Sequence, residues 1–229
     1  MRTEFRLEIK TEEVLRYLGY KDNKPDEGVL ENIKKCRAVL QKSLSLRYVY
    51  SFFDTSISDG GIAVTGTKLR FPSLDVTMLL QDCKKIVLMA VSLGQEFERV
   101  LRETEVKSLA DALVLDACGS AAIEELCDMV EEKIRGMFRL MGDDITDRLS
   151  PGYGDFPITV QRDFLNILDT QRRIGLTCTD TYILTPRKSV TAVMGILQSG
   201  EYVRKRTCDG CDKYDKCAYR KEGISCVLQ

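Results

Sequence analysis

A continuous apolar run, Lys85–Leu93 (KIVLMAVSL), constrains the fold of this chain more than any other feature. The run has the length of a β-strand, and it lacks the alternation of apolar and polar residues that marks a half-exposed strand. A strand that is apolar on both sides is typical of the centre of a sheet covered on both faces. Gly94 ends the run, and Gln95–Glu103 then predicts a helix.

Three segments before this run predict further strands. Residues 3–10 alternate between apolar and polar side chains, and Arg47–Asp54 (RYVYSFFD) is rich in aromatic and β-branched residues. The Gly60-Gly61 pair predicts a turn into another strand at Ile62–Thr65.

Three further segments predict helices. Pro25 opens the first, because apolar residues follow it at spacings of three and four. These residues are Val29, Leu30, Ile33, Cys36, Leu40 and Leu44. Ser108 followed by Asp111 resembles a capping box that starts a long helix ending near Leu140. Val160–Arg173 predicts the third helix.

Two late segments, Ile174–Leu184 and Val190–Ile196, predict a hairpin around Pro186. Strands and helices are therefore mixed without strict alternation, which favours an α+β fold with a largely antiparallel sheet. No glycine-rich dinucleotide loop or P-loop is present. The sequence after Gly200 is short, charged and rich in cysteine, so we divide the chain into a domain at 1–200 and a tail at 201–229.

The composition excludes several classes of function. The chain has no histidine, so Ser-His and Cys-His nucleophile pairs and all His-containing metal sites are impossible. The 34 basic and 35 acidic residues nearly cancel, which gives no support to nucleic-acid binding. No apolar run reaches the ~20 residues of a membrane span, and the charged N-terminus lacks the apolar core of a signal peptide. We therefore expect a cytoplasmic protein without a membrane partner.

The tail carries four cysteines with the spacing C-x₂-C-x₅-C-x₈-C: Cys208, Cys211, Cys217 and Cys226. Four thiolates this close together suit Zn²⁺ or an iron–sulfur cluster, and the sequence does not choose between them. The alternatives are a reduced tail without metal and a knuckle formed by three of the four. The other cysteines lie in apolar or helical contexts and predict small core residues: Cys36, Cys83, Cys118, Cys127 and Cys178.

The segment between the long helix and the helix at Val160–Arg173 contains Arg148-Leu-Ser-Pro-Gly-Tyr153. Pro151 restricts the backbone and Gly152 permits a turn or the close approach of a ligand. Arg148 offers a planar fork for a carboxylate, and Tyr153 offers a ring face and a hydroxyl. The residues alone favour a helix-capping loop with a surface Arg and a half-buried Tyr over a ligand site.

This R-x-x-P-G-Y pattern resembles the signature loop of the activation domain of cobalamin-dependent methionine synthase. The order of the surrounding features is also similar: the strand at 85–93, the long helix at 108–141, Ile174–Thr177 (IGLT), and Lys188–Ala192 (KSVTA) where the family has a Ser-Val-Ser-Gly turn. The resemblance covers residues 85–200 well and residues 1–84 weakly.

The resemblance implies a C-shaped α+β domain with a twisted antiparallel sheet that binds S-adenosylmethionine. Arg148 would hold the carboxylate of this ligand, and the loop at Ser150, Pro151, Gly152 and Tyr153 would contact the rest of it. Ser120 stands where the family has an acidic contact, and the family's N-terminal acidic residue has no clear counterpart. Asp116 and Glu124, one helical turn to either side of Ser120, are the available substitutes.

The resemblance further implies a separate subunit of methionine synthase, a methyltransferase. The chain is too short for the homocysteine and folate barrels, at ~250 residues each, and it lacks the His that a cobalamin carrier of this type requires. Cobalamin would therefore reside on a partner protein, with a flavodoxin or ferredoxin as electron donor. Two alternatives remain: reactivation of another corrinoid methyltransferase, and a non-catalytic docking module with a zinc-stabilised tail.

Overall fold

The structure is a computed structural model that describes residues 7–20, 23–58, 61–198 and 202. The first half of the chain contains α1 (Thr11–Tyr17), α2 (Glu27–Ser43), β1 (Arg47–Ser58), β2 (Gly61–Val64), β3 (Arg70–Phe71), α3 (Leu74–Leu80), β4 (Lys85–Ser92) and α4 (Gln95–Lys107). The second half contains α5 (Leu109–Arg139), β5 (Asp144–Ile145), a 3₁₀ turn (Ile158–Val160), α6 (Gln161–Leu168), α7 (Thr170–Ile174), β6 (Thr177–Cys178), β7 (Leu184–Thr185) and β8 (Ser189–Leu197).

Six strands form one sheet in the order β3-β2-β1-β4-β8-β5, and each neighbouring pair is antiparallel. Strand β4 is central: its Met89 pairs with Tyr50 of β1 on one side and with Ala192 of β8 on the other. Strands β6 and β7 pair separately in a small sheet of their own. The predicted α+β class with an antiparallel sheet is confirmed.

Strand β4 separates two hydrophobic cores, as its uninterrupted apolar sequence predicts. Val87, Met89 and Val91 point into the core formed with α1, α2, α4 and α5. The intervening side chains, Ile86 and Leu88 among them, point into the opposite core with α3, α6 and α7. Successive side chains of a strand lie on opposite faces, so a strand between two cores needs apolar residues at every position.

Helix α5 begins where the capping box predicts. The Ser108 side chain accepts a hydrogen bond from the backbone N–H of Asp111 at 3.2 Å, which satisfies one of the unpaired N–H groups of the first turn. Helix α2 begins in the same way, with Asp26 accepting from the N–H of Val29 at 2.8 Å. Both helices bury an apolar face against β4 and its neighbours.

Three predictions of secondary structure are wrong in detail. The predicted hairpin of residues 174–184 and 190–196 does not form, because β6 pairs with β7, whereas β8 pairs with β4 and β5. Residues 7–10 of the predicted N-terminal strand are not a strand, although Leu7 and Ile9 are buried in the core; residues 3–6 lie outside the described residues. The helix predicted at Val160–Arg173 is divided at Asp169, which has a φ of 50°.

Candidate functional site

One side of α5 carries a row of polar side chains. Its members recur at intervals of three or four residues, so they lie above one another on the same helix face. They are Asp116, Ser120, Glu124, Asp128 and Glu131. Strands β5 and β8 pack beside this helix. Arg148, which follows β5, and Lys188, which precedes β8, are cations that face the row.

Arg148 follows β5 and lies over the C-terminal part of this row. Its guanidinium donates to Asp128 Oδ1 at 2.6 Å, to Glu131 Oε2 at 2.8 Å and to Glu124 Oε2 at 3.0 Å. The Arg148 side chain is 14% exposed. Burial lowers the pKa of this guanidinium, but the negative groups packed around it outweigh burial and raise the pKa above its ordinary value. Arg148 is therefore a permanent cation.

The backbone next to Arg148 is held by the central sheet. Leu149 forms an antiparallel bridge with Val193 of β8, through N–H to oxygen distances of 3.0 and 2.9 Å in the two directions. The Thr146 N–H donates to the Gly195 carbonyl at 2.9 Å. These bonds extend the edge of the sheet past β5, so the position of Arg148 is set by the sheet and not by a free loop.

The segment after Arg148 is a tight loop closed by its own backbone. The Gly152 N–H donates to the Phe156 carbonyl at 2.8 Å, and the Phe156 N–H donates to the Tyr153 carbonyl at 2.9 Å. Gly152 has a φ of 95°, a conformation that a side chain disfavours. Pro151 is buried, Ser150 is half-buried, and the Tyr153 side chain is 64% exposed at the tip.

Asp155 attaches this loop to the N-terminus of α3. Its carboxylate accepts from the Ser73 hydroxyl at 2.5 Å, from the Leu74 N–H at 2.6 Å and from the Asp75 N–H at 3.2 Å. The hydrogen bond from Ser73, together with those from the backbone, holds the pKa of Asp155 below its ordinary value. No pattern in the sequence predicted a role for Asp155.

The two predicted acidic contacts, Asp116 and Glu124, have different partners. Glu124 pairs with Arg148, whereas the Asp116 carboxylate lies 2.9 Å from Lys188 Nζ. Lys188 also donates to the Ser120 hydroxyl at 2.7 Å. Eight helical residues separate Asp116 from Glu124, which is about 12 Å along the helix axis. The structure therefore brings Arg148 and Glu124 together and leaves Asp116 at a separate point.

Three charged residues of the site were missed by the sequence analysis: Asp128, Glu131 and Lys188. The two acids continue the four- and three-residue spacing that begins at Asp116, and this periodicity could have identified them. The sequence carried no comparable signal for the pairing of Lys188, because its partner lies on a helix 68 residues away.

The four tail cysteines proposed as metal ligands, Cys208, Cys211, Cys217 and Cys226, lie outside the described residues. Within the described part of the chain, no group of three or more His, Cys, Asp or Glu residues could hold a metal ion. Four of the remaining cysteines are buried and Cys178 is half-buried, which agrees with their predicted role as small core residues. Burial raises the pKa of Cys36 and Cys83 to about 11, so these thiols are poor nucleophiles near neutral pH.

Comparisons with known proteins identify the fold. No protein-family model matches the chain, and no curated protein matches it in sequence. Among solved structures, the chain is similar to the MetH reactivation domain bound to AdoHcy, with a TM-score of 0.62 and 15% sequence identity. The alignment covers 92% of this chain and 80% of that one. The chain therefore has the fold of a MetH reactivation domain, as the resemblance of the Arg148–Tyr153 loop predicts. Within the described residues, no helix is both long and apolar enough to cross a membrane.

Proposed function

We propose that this protein is a cytoplasmic reactivation subunit of a cobalamin-dependent methionine synthase. It would bind S-adenosylmethionine on the face of α5 and present the methyl group of this ligand to cobalamin on a partner protein. The observation that carries the proposal is Arg148, a part-buried cation held by three carboxylates at the edge of the sheet. The fold of a MetH reactivation domain supports the same assignment.

The amino-acid end of S-adenosylmethionine has one carboxylate and one ammonium, and the Arg148 cluster offers the complement of both. Asp128 and Glu124 are the displaceable partners of Arg148, because their side chains are 64% and 35% exposed. The ligand carboxylate would replace one of them on the guanidinium, and the released acid would accept the ligand ammonium. Such an exchange leaves no charge unpaired, which avoids the cost of a buried single charge.

Glu131 would keep Arg148 in place during this exchange. Its side chain is 8% exposed, and its two oxygens contact different arginines: Oε1 lies 3.0 Å from Arg135 and Oε2 lies 2.8 Å from Arg148. Because Glu131 is buried and doubly paired, it cannot turn toward solvent when the ligand arrives. We therefore assign Glu131 as a positioning residue and Arg148 as the ligand contact.

The loop from Ser150 to Tyr153 would form the wall next to the rest of the ligand. Gly152 has no side chain and is exposed, so the backbone there is accessible to a ligand. Tyr153 presents its ring at the tip of the same loop, where an aromatic face suits a sulfonium cation or an adenine. Asp155 would hold this loop in position through its hydrogen bonds with Ser73 and the Leu74 N–H at the start of α3.

The reduced cobalt of a partner-bound cobalamin would supply the nucleophile for the methyl transfer. The residues of this chain then only bind and orient the methyl donor, so a protein without histidine can perform the task. Reduction of the cob(II)alamin on the partner would also require one electron, and a flavodoxin or ferredoxin is the proposed donor. The same arrangement would serve a corrinoid methyltransferase other than methionine synthase.

We propose that Cys208, Cys211, Cys217 and Cys226 of the tail at 201–229 bind Zn²⁺ or an iron–sulfur cluster. A cluster would pass the activating electron toward cobalt, whereas zinc would only stabilise the tail. Metal analysis and an absorption spectrum of protein purified without oxygen distinguish them. Stoichiometric zinc without iron eliminates the electron relay.

A second candidate function is a non-catalytic module that docks on a corrinoid protein. It is favoured by the pairing of Arg148 with three internal carboxylates, which already satisfies the cation without any ligand. Calorimetry with S-adenosylmethionine separates the two functions. Saturable binding by the wild type favours the reactivation subunit, and no binding at millimolar ligand favours the module.

The replacement Arg148→Ala tests the position of the ligand. We expect it to weaken the binding of S-adenosylmethionine by about 2–4 kcal/mol, the scale for truncating one partner of a charge-paired contact. Arg162→Ala is the matched control, because Arg162 is a half-exposed cation paired with Asp180 away from the α5 face. An equal affinity in wild type and Arg148→Ala would show that the ligand binds elsewhere.

A further inference from the structure

Lys188 is the second cation on the face of α5, and the proposed exchange of ligand charges at Arg148 does not use it. It immediately precedes β8, and its ammonium lies 2.9 Å from Asp116 Oδ2 and 2.7 Å from Ser120 Oγ. Only 18% of its side chain is exposed. Most surface lysines project freely into water, so this confinement distinguishes Lys188 from them.

The surrounding structure holds Lys188 against the helix. The Lys188 carbonyl accepts from the Leu93 N–H at 3.0 Å, which ties the backbone to the end of β4. Gly119 lies beneath the side chain: a Cβ atom at this position would come within 3.3 Å of Lys188 Cε and 2.5 Å of the Phe97 ring. The absence of a side chain at Gly119 therefore allows both Phe97 and the stem of Lys188 to pack onto α5.

Lys188 lies on the same helix face as Glu124, which is one of the two acids proposed to receive the ligand ammonium. Its partner Ser120 is one helical turn, about 6 Å along the axis, from Glu124. A ligand ammonium on Glu124 would therefore approach a like charge, and because both side chains are partly buried, water screens only part of the repulsion. Lys188 also forms an ion pair with Asp116, the other acid that the sequence predicted as a ligand contact.

We propose that Lys188 is a tethered competitor for the ligand ammonium and thereby sets the affinity of the site for amino-acid ligands. This inference rests on the function proposed above. With Lys188 in place, the acidic face at Asp116 and Ser120 is already neutralised by the chain itself. Without it, Asp116 becomes available and the repulsion at Glu124 disappears, so a ligand with a free ammonium binds more tightly.

The test compares Lys188→Met, Lys188→Arg and Lys85→Met with the wild type by calorimetry at low ionic strength, where charge effects are least screened. Lys85→Met is the matched control, because Lys85 forms an exposed pair with Asp54 at 3.8 Å and lies outside the α5 face. Two ligands are used: S-adenosylmethionine, and 5′-methylthioadenosine, which lacks the amino-acid end. Circular dichroism establishes that each variant is folded.

We expect Lys188→Met to bind S-adenosylmethionine about fivefold more tightly, the scale for one partly exposed charge interaction. Its affinity for 5′-methylthioadenosine stays unchanged, as do both affinities in Lys188→Arg and Lys85→Met. Equal affinity for S-adenosylmethionine in Lys188→Met and wild type overturns the competitor role and leaves the ligand site at Arg148 intact. Weaker binding in Lys188→Met that Lys188→Arg restores also overturns it, because Lys188 would then contact the ligand directly. If no variant binds S-adenosylmethionine at millimolar concentration, the proposed function fails as well.

Discussion

Glu131 separates two regions with the same chemistry and different surroundings. In the first region, Arg135 lies 3.0 Å from Glu131 and 2.5 Å from Asp144, and all three side chains are at most 8% exposed. In the second region, Arg148 contacts Glu131 together with two acids whose side chains reach solvent, Glu124 and Asp128. Each region is an arginine between carboxylates, so residue type alone does not distinguish them.

Burial decides what each arginine can do. A partner of Arg135 that turned away would leave a charge in the protein interior, which is costly, so this group of residues behaves as a fixed support. Two partners of Arg148, Glu124 and Asp128, can turn into water at little cost, and the proposed ligand would take the place of one of them. The structural arginine and the proposed ligand-binding arginine thus share one carboxylate, Glu131, and they differ in the exposure of their other partners.

The largest effect is expected from Arg135→Met, which removes the cation between two buried acids. We expect the free energy of unfolding to fall by about 3–5 kcal/mol, because Asp144 and Glu131 each lose a buried cation as a partner. Chemical denaturation followed by circular dichroism measures this loss. The control is Arg99→Met on α4, where Arg99 pairs with Glu96 and Glu103 and all three side chains are exposed. Equal stability in Arg135→Met and wild type would show that burial does not separate the two arginines.

A smaller loss of stability is expected from Arg148→Met in the same experiment. Glu131 keeps Arg135 as a partner, and Glu124 and Asp128 can turn to water, so we expect a loss of about 1–2 kcal/mol. The comparison would break if Arg148→Met lost as much stability as Arg135→Met, because Arg148 would then be a structural residue.

The smallest effect is expected at the exposed loop, where Asp155 caps α3. The pKa of Asp155 is lowered in the folded state, so its contribution to stability is present above the ordinary carboxyl pKa of about 4. This contribution is lost as the pH falls below that value through the folded pKa. We expect the free energy of unfolding to decrease with acid below about pH 4, and less steeply in Asp155→Asn. Identical profiles for Asp155→Asn and wild type would remove Asp155 from this pH dependence.

The predictions from sequence succeeded where local pattern is sufficient. The apolar run predicted β4 to within one residue, and Ser108 predicted the start of α5. Strand β8 was predicted as well, but with the wrong partner, because pairing joins residues that lie about a hundred positions apart. The short helices α1 and α3 were missed, since seven residues are too few to show a clear helical period.

The candidate site likewise contains residues that the sequence predicted and residues that only the structure identified. Arg148 and Glu124 were identified as candidates from the loop pattern and from the resemblance, and the structure places them 3.0 Å apart. The sequence contained Asp128 and Glu131 at helical spacing, but it did not show that Arg148 would lie over them. From the sequence, Lys188 was identified only as part of a turn. Its contact with Asp116 depends on the packing of β8 beside α5.

The sequence by itself determined the class of fold, the central strand, the long capped helix and the chemical limits that follow from the absence of histidine. These properties depend on the pattern of neighbouring residues or on the composition, and both are known from the sequence alone. Only the tertiary structure decided which charges meet. Ion pairs form across elements that are distant in sequence, and their strength depends on exposure to water, which no local pattern contains.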